Sequence, residues 1–258
     1  MEIKWFCRWA TSLGYGFAGS PYKTWGADKY SPELHINEPT VFCGMYGLKD
    51  FFALWQHKGR KAIWWVGSDI KHFINGYWLD DTGLIRIEPY ALAMWIKLNC
   101  ESFVENQVEY DALKKFGIEA KIVPSFLGDV NDFPLQKSYP EPRYYSSVSG
   151  NDFKAYGWDK INQLAKDNPD IKYYLYGNEE PWEAPDNVIV RRRVSQEVMD
   201  MEIKTMTGAI VMTEFCGFSE ILAKSILWGQ SPISLIEYPF RNREELLKVL
   251  NKYPWNKN

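Results

Sequence analysis

The sequence predicts an α/β protein built from two halves, each a parallel sheet covered by helices on both faces. Apolar runs of strand length alternate with segments of helical periodicity, and that alternation is the signature of a parallel sheet. It is interrupted once, between Phe126 and Pro142, where Gly, Asp, Asn and Pro accumulate and disrupt helix and sheet alike. A length of 258 residues accommodates two small domains. The expected division is a first lobe over 1–135, a second over 136–240, and a terminal helical segment over 241–258 that packs back on the first lobe.

In the first half, Ile3 to Ala10 reads as a strand, followed by the glycine-rich loop Gly14 to Ser20. Thr40 to Tyr46 is a strand, Leu48 to His57 a helix, and Lys61 to Val66 a buried strand stopped by Gly67-Ser68-Asp69. A helical piece over Ile70 to Ile74 follows. Cys100 to Val104 and Ala120 to Pro124 are strands around a helix from Glu109 to Phe116, ended by Gly117. In the second half, strands are expected over 144–148, 171–176, 188–193, 209–213 and 233–236. Helices are expected over 154–166, after Ser195, over 219–228 and from Glu244 to Leu250.

Composition narrows the function classes. The net charge of −3 and the lack of any basic run beyond Arg191-Arg192-Arg193 do not indicate nucleic acid as a partner. The four cysteines, Cys7, Cys43, Cys100 and Cys216, have neither metal-type spacing nor disulfide density, which fits reduced thiols in a cytoplasmic protein. No apolar run is long enough to span a membrane. Aromatic residues make up 16% of the chain; most are core material, and peripheral contact of an exposed aromatic patch with a membrane stays open.

Ligands of open parallel sheets bind at the carboxyl ends of the strands. In the second half those positions are Gly150-Asn151, Gly177-Asn178, Arg192-Arg193, and Glu214 through Ser219. Glycine allows close backbone approach to a ligand. Ser219 is placed to cap a helix whose first amides, at Glu220, Ile221 and Leu222, form a phosphate site. The alternative is a capped helix whose amides see only Ser219 and water.

Val188-Ile189-Val190, Val194 through Glu197, Gly208 through Val211, Gly217-Phe218-Ser219, and Gly229 through Ile233 run in the order of motifs in the nucleotide-binding lobe of the group 1, GT-B-type glycosyltransferases. Ser149-Gly150 through Lys154 and Gly157 resembles that family's phosphate loop, and Trp65 through Asp69 resembles its acceptor-side strand end. The resemblance implies a GT-B-like fold, two Rossmann-like lobes whose parallel sheets face a central cleft. It implies a glycosyltransferase of hexosyl type, moving sugar from a nucleoside diphosphate sugar, UDP- or GDP-linked, to an acceptor hydroxyl with retention. It requires neither metal nor cofactor. The implied donor set is Gly150, Asn151, Lys154, Arg192, Arg193, Glu214, Gly217, Phe218, Ser219, Glu220, Ile221 and Lys224. Gly16, Ser68 and Asp69 fall on the acceptor side. Lys154 is expected to offset charge on the leaving diphosphate, and Asp69 to orient or deprotonate the acceptor.

Three positions depart from the family. Its loop arginine falls on Asn151, and its pair of glutamates falls on Cys216 and Lys224; an ammonium cannot accept hydrogen bonds from a ribose. A catalytically silent nucleotide-sugar-binding protein is therefore the second reading. The third is an unrelated Rossmann-type enzyme, for which Gly14-Tyr15-Gly16-Phe17-Ala18-Gly19 matches the dinucleotide fingerprint without an acid at the end of a clear second strand.

Overall fold

The computed structural model describes residues 5–9, 27–78, 86–126, 128–137, 140–148, 152–177, 183–214 and 216–251. Gly16 with its glycine-rich loop, Gly150, Asn151 and Asn178 lie outside them. By proximity the described chain divides into two compact units. The first takes the described residues of Met1–Asp129, Phe215–Phe218 and Lys248–Asn258, the second those of Val130–Glu214 and Ser219–Leu247.

In the first unit the order is β1 (Phe6–Trp9), β2 (Asp28–Lys29), α1 (Pro32–His35), β3 (Thr40–Cys43), α2 (Leu48–Gln56), β4 (Lys61–Trp64), α3 (Asp69–Asn75), β5 (Tyr77–Trp78), β6 (Arg86–Ile87), α4 (Pro89–Asn99), β7 (Cys100–Val104), α5 (Gln107–Lys114) and β8 (Lys121–Ile122). Six strands form a parallel sheet in the order β2-β1-β3-β4-β7-β8, while β5 and β6 pair antiparallel apart from it. All four residues of β3 are buried, as expected of a central strand covered on both faces. One face packs Phe42, Ile63 and Trp65 against the buried sides of α2, α3, α4 and α5. The other packs Cys7, Val41, Cys43, Trp64 and Phe103. α5 starts where Asn106 Oδ1 accepts the Glu109 amide at 3.0 Å, a side-chain cap. The sequence expectations did not include β2, α1, the β5–β6 pair or α4.

The second unit opens with a 3₁₀ turn (Val130–Asp132). It continues with β9 (Arg143–Ser147), α6 (Trp158–Asp167), β10 (Lys172–Tyr176), β11 (Val188–Arg191), α7 (Gln196–Ile203), β12 (Gly208–Val211), α8 (Glu220–Leu227), β13 (Ile233–Ser234) and α9 (Arg243–Leu250). The five strands are parallel in the order β11-β10-β9-β12-β13. The chain steps outward from β9 to β11, then returns to place β12 on the opposite side of β9. That reversal opens a crevice at the carboxyl ends of β9 and β12, the general ligand position in such sheets.

The helix expected over 154–166 begins later, at Trp158, because Gly157 takes φ +73°, outside the helical region. A Cβ at Gly157 would lie 2.4 Å from the Met212 carbonyl oxygen, so only glycine lets this turn press against the end of β12.

Candidate functional site

The carboxyl ends of β9, β10 and β12 converge on the turn from Phe153 to Gly157. Phe153 and Trp158 are buried, their rings 4.4 Å apart. A Cβ at Gly177, just past β10, would lie within 2.9 Å of both rings and of Val148. The Asp152 carboxylate accepts the Ala155 amide at 3.0 Å, and the Lys154 carbonyl accepts the Gly157 amide at 2.9 Å. The backbone of Lys154 is thus anchored on both sides while its side chain stands exposed, outside any ion pair among the described residues.

Other members of the expected donor set have different partners. Glu214 is exposed and paired with Lys160 of α6 at 2.6 Å. Arg192 and Arg193 are exposed beyond the end of β11, whereas Arg191 is tied to Glu202 of α7, which also accepts the Tyr176 hydroxyl at 2.6 Å. Lys224, expected beside a donor ribose, is instead buried in α8, with Nζ 2.9 and 2.8 Å from the two carboxylate oxygens of Asp200 and 5.3 Å from the centre of the Phe133 ring. Burial demands a counter-charge, and Asp200 supplies it. Ser219 is the N-cap of α8 by backbone position, but its hydroxyl makes no capping hydrogen bond, contrary to expectation. Glu220 and Ile221 open that helix, both partly exposed. The cavity of about 550 Å³ lined by Lys166, Lys172 and Asn187 lies at the amino ends of β10 and β11, the end away from Lys154.

In the first unit the corresponding strand ends hold three buried carboxyls. Asp69, expected to face an acceptor, is completely buried. Its Oδ2 accepts the Met45 amide at 3.0 Å, and its Oδ1 accepts those of Val66 and Ile70 at 3.1 and 3.0 Å. Its donors are two loop amides and the first-turn amide of α3, so it positions the turns after β3 and β4; Ser68 beside it is exposed. Glu105, one residue past β7, accepts from the Ser125 hydroxyl and amide through Oε1 and from the Phe218 amide at 3.0 Å through Oε2. Asn106 donates to the Cys216 carbonyl at 2.7 Å, and Glu109 accepts the Glu105 amide at 2.7 Å. The Phe218 amide, expected to meet a donor, is therefore engaged by an internal carboxylate. A Cβ at Gly217 would lie 1.8 Å from Glu105 Oε2, and one at Gly67 would lie 3.1 Å from the Gly217 nitrogen. The two loops meet backbone to backbone, which their glycines permit.

Glu105, Asn106, Glu109 and Asp200 were not among the expected site residues. Asn106 and Glu109 do carry a readable signal, an Asn three residues before a Glu at a helix start. Nothing comparable marks Asp200 as the partner of a lysine 24 positions away.

Burial pushes the Asp69 carboxyl up to about 7, against the pull of its backbone donors. It pushes Glu105 up to about 8, against the donors on Ser125 and Phe218. Glu109 is raised well above the usual carboxylate range, by burial first and by the charge of Glu105 second. The folded protein thus holds protons that the unfolded chain has released. The stability these carboxyls contribute is fully present below the ordinary carboxylate range, near pH 4, and is lost as the pH rises through about 7 to 8. Thermal unfolding is expected at a lower temperature at pH 8.5 than at pH 5.5, and Glu105→Gln should flatten the difference. A melting temperature that rises across that interval would refute this assignment of protons.

No protein-family model matches the chain. No curated protein matches it in sequence. Among solved structures it matches GT-B glycosyltransferases, and it has their α/β fold of two parallel sheets. Sucrose-phosphate synthase from Thermosynechococcus elongatus superposes with a TM-score of 0.53 at 12% identity, over 76% of this chain and 55% of that one. TarM, known from S. aureus, gives 0.51 at 11% identity, over 86% and 50%. The pneumococcal O-GlcNAc transferase GtfA gives 0.50 at 13% identity, over 81% and 44%. The chain spans about half the length of these structures. No helix of the described residues is long and apolar enough to cross a membrane.

Proposed function

We propose that the chain transfers a sugar from a nucleoside diphosphate sugar to an acceptor hydroxyl. The observation that carries this reading is the exposed Lys154, set on a rigid turn at the switch point of a GT-B-type parallel sheet. The acceptor oxygen attacks the anomeric carbon, the bond from that carbon to the diphosphate oxygen breaks, and the acceptor proton passes to the departing diphosphate. Negative charge grows on that leaving group. Lys154, with Arg192 or Arg193, stabilises it where charge develops, which is what lowers a barrier. Ser219, Glu220 and Ile221 at the start of α8 add backbone donors to the same oxygens. The pneumococcal neighbour was solved with UDP and GlcNAc, which favours a UDP-linked hexose as first donor to try. Transfer is proposed to retain anomeric configuration and to need no metal.

A second reading has specific support. The Lys224–Asp200 pair stands where a ribose-binding carboxylate is expected, and Glu105 occupies the Phe218 amide, so a donor-binding protein without turnover is the alternative. Titration with UDP and GDP, followed by assay of nucleoside diphosphate release from a panel of donors, separates the readings. Binding with turnover is expected for at least one donor. Binding without release, with water or any acceptor, would assign the silent form, and no binding at millimolar concentration would remove both.

A further inference from the structure

The first unit carries an apolar surface that its core does not use. α4 buries Leu92, Ala93 and Ile96 against the sheet, yet Tyr90, Met94 and Leu98, spaced four apart on the opposite side, are 67%, 69% and 81% exposed. A four-residue spacing puts them in one stripe. The neighbouring α2 does the same: Phe51 and Leu54 are buried, while Phe52 and Trp55 are exposed. Trp95 of α4 meets Phe51 of α2 edge to face at 5.4 Å, so the two helices lie side by side over the same core. Exposed apolar side chains on two adjacent helices mark an interaction surface.

The charges around it that stand outside ion pairs include several lysines. Lys97 is the sole charged residue in the sequence of α4. Phe116, beyond α5, packs on Tyr90 at 4.9 Å, which brings exposed Lys114 and Lys115 to the edge of the stripe; Lys49 and Lys58 flank the α2 side. None of these five lysines is in an ion pair among the described residues. Of the nearby acids, Glu88 is ion-paired with Arg86 and Glu101 with Arg60 and Lys121, while Glu119 and Asp111 accept from Tyr110 and Gln107 and lie close to Lys114.

We propose that this α2–α4 face rests on an anionic phospholipid bilayer. The aromatic and aliphatic side chains enter the headgroup boundary, and the lysines meet lipid phosphates, the arrangement of an interfacial helix surface. A second copy of the chain fits less well, because a two-fold contact through α4 would set Lys97 and its neighbours against their own kind.

Flotation of the full chain with phosphatidylcholine vesicles, with and without a third of phosphatidylglycerol, tests this. Binding is expected to the anionic vesicles and to weaken with salt. Met94→Glu with Leu98→Glu should reduce it at least tenfold, and Lys97→Glu with Lys115→Glu by roughly tenfold or more. All four positions are exposed, so circular dichroism and melting temperature should stay near wild type. Absence of binding to anionic vesicles overturns the proposal. So does equal binding by either double variant, or light scattering that shows a dimer dissolved by Met94→Glu and Leu98→Glu without any vesicle binding.

Discussion

Asp200→Ala is expected to destabilise the second unit by about 3–5 kcal/mol, because it strands a buried ammonium. Lys224 is 5% exposed, both of its carboxylate contacts come from Asp200, and its remaining close neighbour is the Phe133 ring. A loss of that size is a large share of the ~5–15 kcal/mol that holds an ordinary domain together. Urea unfolding should show the midpoint drop sharply. Replacing both partners by apolar residues, Asp200→Leu with Lys224→Met, should recover most of the loss, since the second penalty disappears with the charge. Lys224→Glu, the residue that the sequence resemblance implies at that position, should be at least as damaging as Asp200→Ala, because it sets two carboxylates face to face. The residue at 224 is therefore bound to the residue at 200, and changing one to an opposite or neutral charge requires changing the other. If Asp200→Ala unfolds like wild type, the pair is solvated and this account fails.

How far the sequence could be read depended on how local the determining physics is. β3 and β4 are continuous apolar runs bounded by turn residues, and they were legible as central strands. So was the strand and helix alternation of the second half, hence its parallel sheet. α4 was not, because its sequence places apolar residues on every side and erases the helical period; Pro89 at its first position was the one start signal. The same all-round apolarity leaves Tyr90, Met94 and Leu98 exposed, so one cause hid the helix and created the surface. Among site residues, the loop glycines were legible from the demand for close approach. The roles of Asp69 and Glu105 were not: each sits just after a strand, where an acid facing ligand and an acid holding a loop look alike. What separates them is burial, which only the assembled sheet provides.

Lys154→Ala is expected to slow transfer by about 10²–10³-fold, the scale on which one preorganised charge acts on a developing anion. The size of the effect rests on how the residue is held. Buried Phe153 and Trp158 fix the turn, Asp152 caps it, and Gly157 presses it against Met212, so the lysine projects from a backbone already in place beside the carboxyl ends of β9 and β12. Little ordering remains to be done when donor binds, and the ammonium's interaction is available in full to the leaving diphosphate. Arg191→Ala is the matched comparison. That guanidinium belongs to a network with Glu202 and Tyr176, so its removal should lower stability modestly and leave the rate within a few fold. Lys154→Arg keeps the charge and should retain a measurable part of the activity. Isothermal titration with UDP alongside donor-turnover kinetics resolves binding from rate: Lys154→Ala should weaken both, with the larger loss in kcat. Small and equal losses for Lys154→Ala and Arg191→Ala would take Lys154 out of the phosphate site and leave the fold without its proposed chemistry.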